Sequence, residues 1–228
     1  MTTINASFCG SAFVSLSENE RKLVQQSAAP CRLRNGHIVF RAEDHAQYIY
    51  LIETGHVKIY RNSPWGKVVT VGIRKPGDLI GMCEVLAGMT RRGYAETLEA
   101  SVLWSIDGQT FIEILQRHPP LAIKVANALG NRLREAETMV ENLVSMEVDR
   151  RLARALIQLA EQQGIPANEE SVRLNVPLTQ QELAEIIGSC RQTVTTTLQK
   201  FRDTGFIHTG KRYIEIRDMK GLRSFVQN

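Results

Sequence analysis

The period of the apolar positions changes twice along this chain, and each change marks a different kind of structure. Between Cys31 and Asp107 the pattern is one of short alternating runs: Ile38-Val39-Phe40, Tyr48-Ile49-Tyr50-Leu51-Ile52, His56-Val57-Lys58-Ile59-Tyr60 and Val68-Val69-Thr70-Val71. The turn markers Asn35-Gly36, Thr54-Gly55, Ser63-Pro64-Trp65-Gly66 and Pro76-Gly77-Asp78 separate them. Short strands at this spacing predict a closed or sandwiched antiparallel fold, read here as a β-roll. Ahead of it, Ser17-Glu18-Asn19-Glu20 forms a capping box that predicts a short helix to about Ala28, stopped by Pro30.

After Pro119-Pro120 the period becomes helical. Ala122, Ala126, Leu129, Leu133, Ala136, Val140 and Leu143 alternate at spacings of four and three, a heptad seam carried for about three heptads. Leu121 and Val125 lie off that seam and can hold the helix to its own β-roll, which leaves the seam for a second copy of the chain. A helix packed only within its own chain is the alternative. Three of the seven seam positions are alanine, and small residues permit close approach of two helices in a parallel pair.

The remainder reads as a compact unit of short helices. An amphipathic helix spans Asp149 to Gln163, followed by Gly164 and a loop over Ile165 to Glu170. Thr179-Gln180-Gln181-Glu182 is a second capping box and opens a helix through Ile187. Gly188 breaks it, and Ser189-Cys190-Arg191-Gln192, a third capping box, opens a helix to about Thr204. Two capped helices about a glycine turn make a helix-turn-helix, with Ala184 and Val194 as its crossing and sealing residues. Phe206-Ile207-His208 and Tyr213-Ile214-Glu215-Ile216 flank Thr209-Gly210-Lys211-Arg212, a hairpin with the form of a basic-tipped wing.

Composition narrows the function classes. From Asp149 onward there are 12 Lys plus Arg against 9 Asp plus Glu, whereas the first 148 residues hold 16 against 15. The basic surplus thus leans towards the helix-turn-helix, as a nucleic-acid partner requires. No apolar run spans a membrane and no basic leader precedes an apolar core, so a cytoplasmic protein is expected. The four cysteines, 9, 31, 83 and 190, form no CxxC pair and are expected as free thiols, and no histidine has metal-ligand spacing. No phosphate loop or nucleophile–base pattern supports an enzyme.

The candidate chemistry is DNA recognition. Arg191 in the first turn of the second helix can fork onto guanine, Gln192 can read adenine, and Thr195 and Thr196 offer methyls to thymine and hydroxyls to phosphate. Thr179, Gln180, Ser189, Lys200, Lys211 and Arg212 are expected along the same surface, chiefly as phosphate contacts. Cys190, at the helix N-terminus beside Arg191, is a candidate redox switch, since helix dipole and cation both favour thiolate. A non-specific architectural DNA binder is the competing class, and Arg191 in the capped turn speaks against it.

This order of parts resembles the Crp/Fnr superfamily over residues 13 to 226. The resemblance rests on Gly55-His56-Val57, on Pro76-Gly77-Asp78-Leu79-Ile80-Gly81 and on Ile187-Gly188-Ser189-Cys190-Arg191-Gln192-Thr193-Val194. It implies an α+β architecture in three units: a cyclic-nucleotide-binding-like β-roll sensor (1–118), a dimerisation helix (119–148) and a winged helix-turn-helix (149–228). It further implies a homodimer on a pseudo-palindromic DNA site, acting with RNA polymerase. The family's effector pocket maps onto Gly81, Met82, Cys83, Glu84, Arg91, Arg92, Ala136 and Glu137. Members that bind cAMP carry a glutamate after the glycine, an Arg-Ser pair, and polar residues on the dimer helix. Met82, the displaced Arg91-Arg92 and the pair Ala136-Glu137 therefore disfavour cAMP. Haem on Met82 or Cys83, or an iron–sulfur cluster on Cys9, Cys31 and Cys83, stays open, with simple packing of a soft residue preferred. Gln192 and Thr196 also depart from the family's usual acidic and arginine residues, which implies an altered operator.

Overall fold

The computed structural model describes residues 16–168, 171–210 and 213–227. Its first helix, α1 (Glu18–Gln26), has the expected capping box: Ser17 N–H donates to Glu20 at 2.7 Å and Glu20 N–H to the serine hydroxyl at 3.4 Å. It ends earlier than the sequence pattern predicts, because Ala28–Leu33 is strand β1. Pro30 sits within that strand. Proline lacks a ladder donor, and β1 tolerates it because it is an edge strand paired only to one neighbour.

Two four-stranded antiparallel sheets build the β-roll. One has the order β1-β8-β3-β6, with β3 (Tyr48–Thr54), β6 (Leu79–Ile80) and β8 (Ser101–Asp107); the other has the order β2-β7-β4-β5, with β2 (Ile38–Phe40), β4 (Val57–Asn62), β5 (Val68–Arg74) and β7 (Tyr94–Thr97). Phe40, Ile52, Val57, Ile80, Ala95 and Leu103 fill the space between them. Gly55 makes the β3–β4 corner: its φ is +82°, and a Cβ there would meet the Ser101 side chain at 2.1 Å. The short strands β6 and β7 and the helix α2 (Met82–Ala87) have no clear sequence period and are additions to the sequence-based expectation; so is α3 (Gly108–Arg117), although Phe111, Ile114 and Leu115 behind the Asp107 cap do carry a helical period.

Helix α4 (Pro119–Ser145) starts at the paired prolines and lays Leu121, Val125 and Ala128 onto the core formed with α1, α3 and the first sheet. The two residues assigned to that contact from spacing, Leu121 and Val125, are thus buried as expected. The seam faces away: Ala126, Leu133, Ala136, Val140 and Leu143 are exposed, Leu133 and Val140 by 61% each, while Ala122 and Leu129 are half-buried, Leu129 against the chain's own core.

After a two-residue break the chain enters α5 (Val148–Gln163). The expected loop after it begins instead as strand β9 (Gly164–Pro166), which pairs with β10 (Val172–Leu174). Helices α6 (Gln180–Ile187) and α7 (Arg191–Asp203) follow, then the hairpin β11 (Ile207–Thr209) and β12 (Ile214–Ile216). A terminal helix, α8 (Met219–Gln227), has no counterpart in the sequence reading; its Phe225 packs edge-on against Phe201 at 5.5 Å between ring centroids. No helix among the described residues is long and apolar enough to cross a membrane.

Candidate nucleic-acid interface

The geometry of the helix pair follows from its caps. Thr179 N–H donates to the Glu182 carboxylate at 2.7 Å and Glu182 N–H to the Thr179 hydroxyl at 3.2 Å, so two otherwise unpaired donors of α6 are satisfied. Gly188 then turns the chain at φ +65°, and a Cβ there would press on Leu143 Cδ2 at 2.9 Å. Ala184 and Val194 are fully buried where the helices cross. The third capping box does not form. Cys190, not Ser189, is the N-cap of α7, and its side chain makes no cap bond, because the tight glycine turn brings Ser189 back to bond its N–H to Ala184 O at 2.9 Å. Arg191 consequently occupies the first helical position of α7.

One face of α7 is open. Arg191, Gln192, Thr195, Thr196 and Lys200 are all exposed there or nearly so, and no hydrogen bond or ion pair engages the Arg191 or Gln192 side chain among the described residues. Thr195 and Gln180 meet across the two helices: the threonine hydroxyl lies 2.6 Å from Gln180 Oε1. Thr179 is exposed at the start of α6, and Ser189 is half-buried in the turn. Lys200 is already paired, at 3.0 Å from Asp149 of α5. Lys211 and Arg212 lie outside the described residues.

Cys190 is exposed, and its sulfur sits 3.1 Å from the Thr193 hydroxyl. That hydrogen bond is the leading cause that lowers the thiol's pKa below its ordinary value. The direction agrees with the sequence reading, but the cause is a neighbouring hydroxyl rather than the Arg191 charge.

In the β-roll, Gly81, Glu84 and Arg91 do come together. The buried Arg91 donates to Gly81 O at 2.6 Å and to Tyr48 O, pairs with Glu84 at 3.5 Å and stacks on the Phe40 ring. Burial is the main cause that lowers its pKa. Met82 is fully buried in the apolar core, Cys83 and Arg92 are exposed, and Ala136 and Glu137 lie on the open side of α4. Arg132 of α4, not singled out from the sequence, reaches this region by donating to Leu79 O. Arg91 is thus engaged through its two terminal nitrogens by Gly81, Tyr48 and Glu84, while its buried Nε has no hydrogen-bond partner among the described residues. A cyclic nucleotide of the cAMP type finds no carboxylate at position 82 and no serine beside Arg91.

A polar junction between sheet and helix-turn-helix has no counterpart in the sequence reading. Lys58 of β4 is buried among Glu185 at 3.4 Å, Glu96 at 3.8 Å and Glu182 at 4.0 Å, the first and last from α6. Beside it Ile73 and Leu98 of the β-roll pack with Val176, Leu178 and Ile186. A cavity of about 110 Å³ adjoins this junction, walled by Thr70 and Arg74 of β5, Asn142 and Leu143 of α4, Arg151 of α5 and Ile186 of α6. The only sequence signal was a lysine within an apolar alternation, which reads equally as an outward-facing strand residue.

Two family models match the chain, a cyclic nucleotide-binding domain over residues 30–118 and a Crp-like helix-turn-helix domain over residues 150–225. Among curated relatives, a CRP-like cAMP-activated global transcriptional regulator of Mycobacterium tuberculosis is 28% identical over 85% of this chain and 86% of its own. A global nitrogen regulator of Synechocystis is also 28% identical, over 81% and 82%. A solved Crp/Fnr-family transcriptional regulator of Thermus thermophilus superposes with a TM-score of 0.70 at 25% identity, covering 88% of this chain and 99% of that one.

Proposed function

The chain belongs to the Crp/Fnr family of DNA-binding transcription regulators, and from that premise we propose that it acts as a homodimer on a specific pseudo-palindromic site. The observation that carries the reading is the open N-terminal turn of α7, where the Arg191 guanidinium is unengaged among the described residues and free to reach a guanine edge. Residues 1–118 act as sensor, 119–148 as the dimer helix and 149–228 as the DNA-binding unit. The exposed seam of α4 supports pairing, because leucine and valine at heptad spacing on an open helix face match a second copy of the same stripe. Two copies require half-sites about one helical turn apart. RNA polymerase is the partner through which such a regulator acts.

The signal is a small molecule or redox state other than cAMP. The mycobacterial relative is cAMP-activated by its description. Here Met82 is core, and Arg91 is engaged by Gly81, Tyr48 and Glu84.

Selection of a site from random DNA tests the reading. The protein should prefer the selected site over random competitor, and Arg191→Ala should cost about 1–3 kcal/mol at one base pair of each half-site. Equal losses on selected and random DNA would instead favour an architectural binder.

A further inference from the structure

The recognition helix carries a run of three threonines, Thr195-Thr196-Thr197, and every one of their hydroxyls is turned inward onto the protein. Thr196 donates to Gln192 O at 3.2 Å and Thr197 to Thr193 O at 2.9 Å; the Thr195 hydroxyl lies 2.9 Å from Arg191 O but 2.6 Å from Gln180 Oε1, and its one proton goes to the nearer acceptor. A threonine hydroxyl has a single proton, so donation to the carbonyl four residues back leaves none for a base acceptor or a phosphate oxygen. In a helix a β-branched side chain has few χ1 choices. Fixing the hydroxyl on the carbonyl therefore also fixes where the γ-methyl points.

The three positions then have different fates. Thr197 is buried in the domain core. Thr195 is claimed by the neighbouring helix, its oxygen 2.6 Å from Gln180 Oε1. Thr196 alone is exposed with no partner beyond its own helix among the described residues. It stands one turn beyond Gln192, on the stripe that begins at the base-reading end of α7.

We propose that Thr196 is a specificity-determining residue that reads a thymine through its γ-methyl group, not through its hydroxyl. This rests on the reading of α7 as the recognition helix. In the major groove thymine presents a C5-methyl group, and apolar contact with that methyl distinguishes it from the other bases. Entry into the groove strips water from the helix, so turning the Thr196 hydroxyl off the Gln192 carbonyl would give up a hydrogen bond that water no longer replaces, although the carbonyl keeps its helical bond from Thr196 N–H. Thr195 does not read a base. It is a positioning residue whose contact holds Gln180 against α7, which turns the glutamine's amide nitrogen outward as a phosphate donor.

The test uses the full-length protein and its selected site, with each thymine of one half-site replaced in turn by deoxyuridine, which removes only the methyl. At one position the parent should lose about four-fold in affinity, the worth of one buried methyl. Thr196→Val keeps the methyl and should bind within about two-fold of the parent, with the same loss on deoxyuridine. Thr196→Ser should bind thymine and uracil sites alike. Thr195→Val should weaken selected and random DNA by the same factor, and add nothing in a Gln180→Ala background. Unchanged circular dichroism melting and unchanged affinity of the Thr196 variants for random DNA exclude misfolding.

Indifference of the parent to deoxyuridine throughout a well-selected half-site would overturn this inference and leave the DNA-binding reading standing. So would a Thr196→Val protein that loses the site, since the hydroxyl would then be the reading group. Failure to select any site over random DNA would sink both.

Discussion

At the scale of single residues, chemistry at the start of α7 is set by immediate neighbours. Cys190 is legible in the sequence as a thiol at a helix N-terminus, but the Thr193 hydroxyl that lowers its pKa is not, because side-chain rotamers decide whether the two meet. A lowered pKa means more thiolate at a given pH, hence faster alkylation. Thr193→Val should therefore move the midpoint of the Cys190 alkylation profile to higher pH and slow the reaction near neutrality, as mass spectrometry of iodoacetamide-treated protein would measure. Profiles that coincide would mean the hydroxyl has no hold on the thiol. Because Cys190 caps the helix beside Arg191, oxidation should also lower DNA affinity in the parent and not in Cys190→Ser. The failed third capping box belongs to this scale as well: Ser189-x-x-Gln192 has the right spacing, yet the turn at Gly188 gives the cap position to Cys190.

Among the elements, the long helix and the helix pair are the most legible, and the small strands the least. A 27-residue helix announces itself by many repeats of one period, and its buried and exposed faces separate at Leu121, Val125 and the seam. By contrast β6 has two residues and β9 three, too few to show any alternation, and they exist because a neighbouring strand supplies the ladder. The exposed seam makes a definite expectation. In a symmetric pair each of Leu133 and Val140 is buried twice, at about 1.5–3 kcal/mol per side chain. Leu133→Asp with Val140→Asp should convert a dimer to monomers in sedimentation equilibrium, with the fold intact. A double variant that still dimerises with the parent's affinity would show that the seam is not the contact.

For the molecule as a whole, the sheet and the helix-turn-helix meet at a buried lysine facing three carboxylates. Lys58→Met leaves those carboxylates facing one another without a cation, at a cost of roughly 3 kcal/mol if the groups stay dry. Undocking α6 into water relieves that cost more cheaply than unfolding either half. The expected result is faster amide hydrogen exchange in α6 and easier proteolysis near Met146-Glu147, with the protected cores of both halves unchanged. Unaltered exchange in α6 would mean that the apolar patch around Ile73 and Ile186 holds the halves together alone.

Reading along the chain was enough to establish the order of the parts, the helix pair about its glycine turn, and the direction in which the long helix turns its apolar seam. These are local quantities: a period, a cap and a glycine turn are written in residues that are neighbours along the chain. It took the folded molecule to establish that Met82 is core, that Arg91 and Lys200 already have partners, that the threonines of α7 turn their hydroxyls inward, and that Lys58 meets Glu182 and Glu185. Each of those depends on a partner brought close by folding or on a rotamer chosen by packing, and neither leaves a period in the sequence.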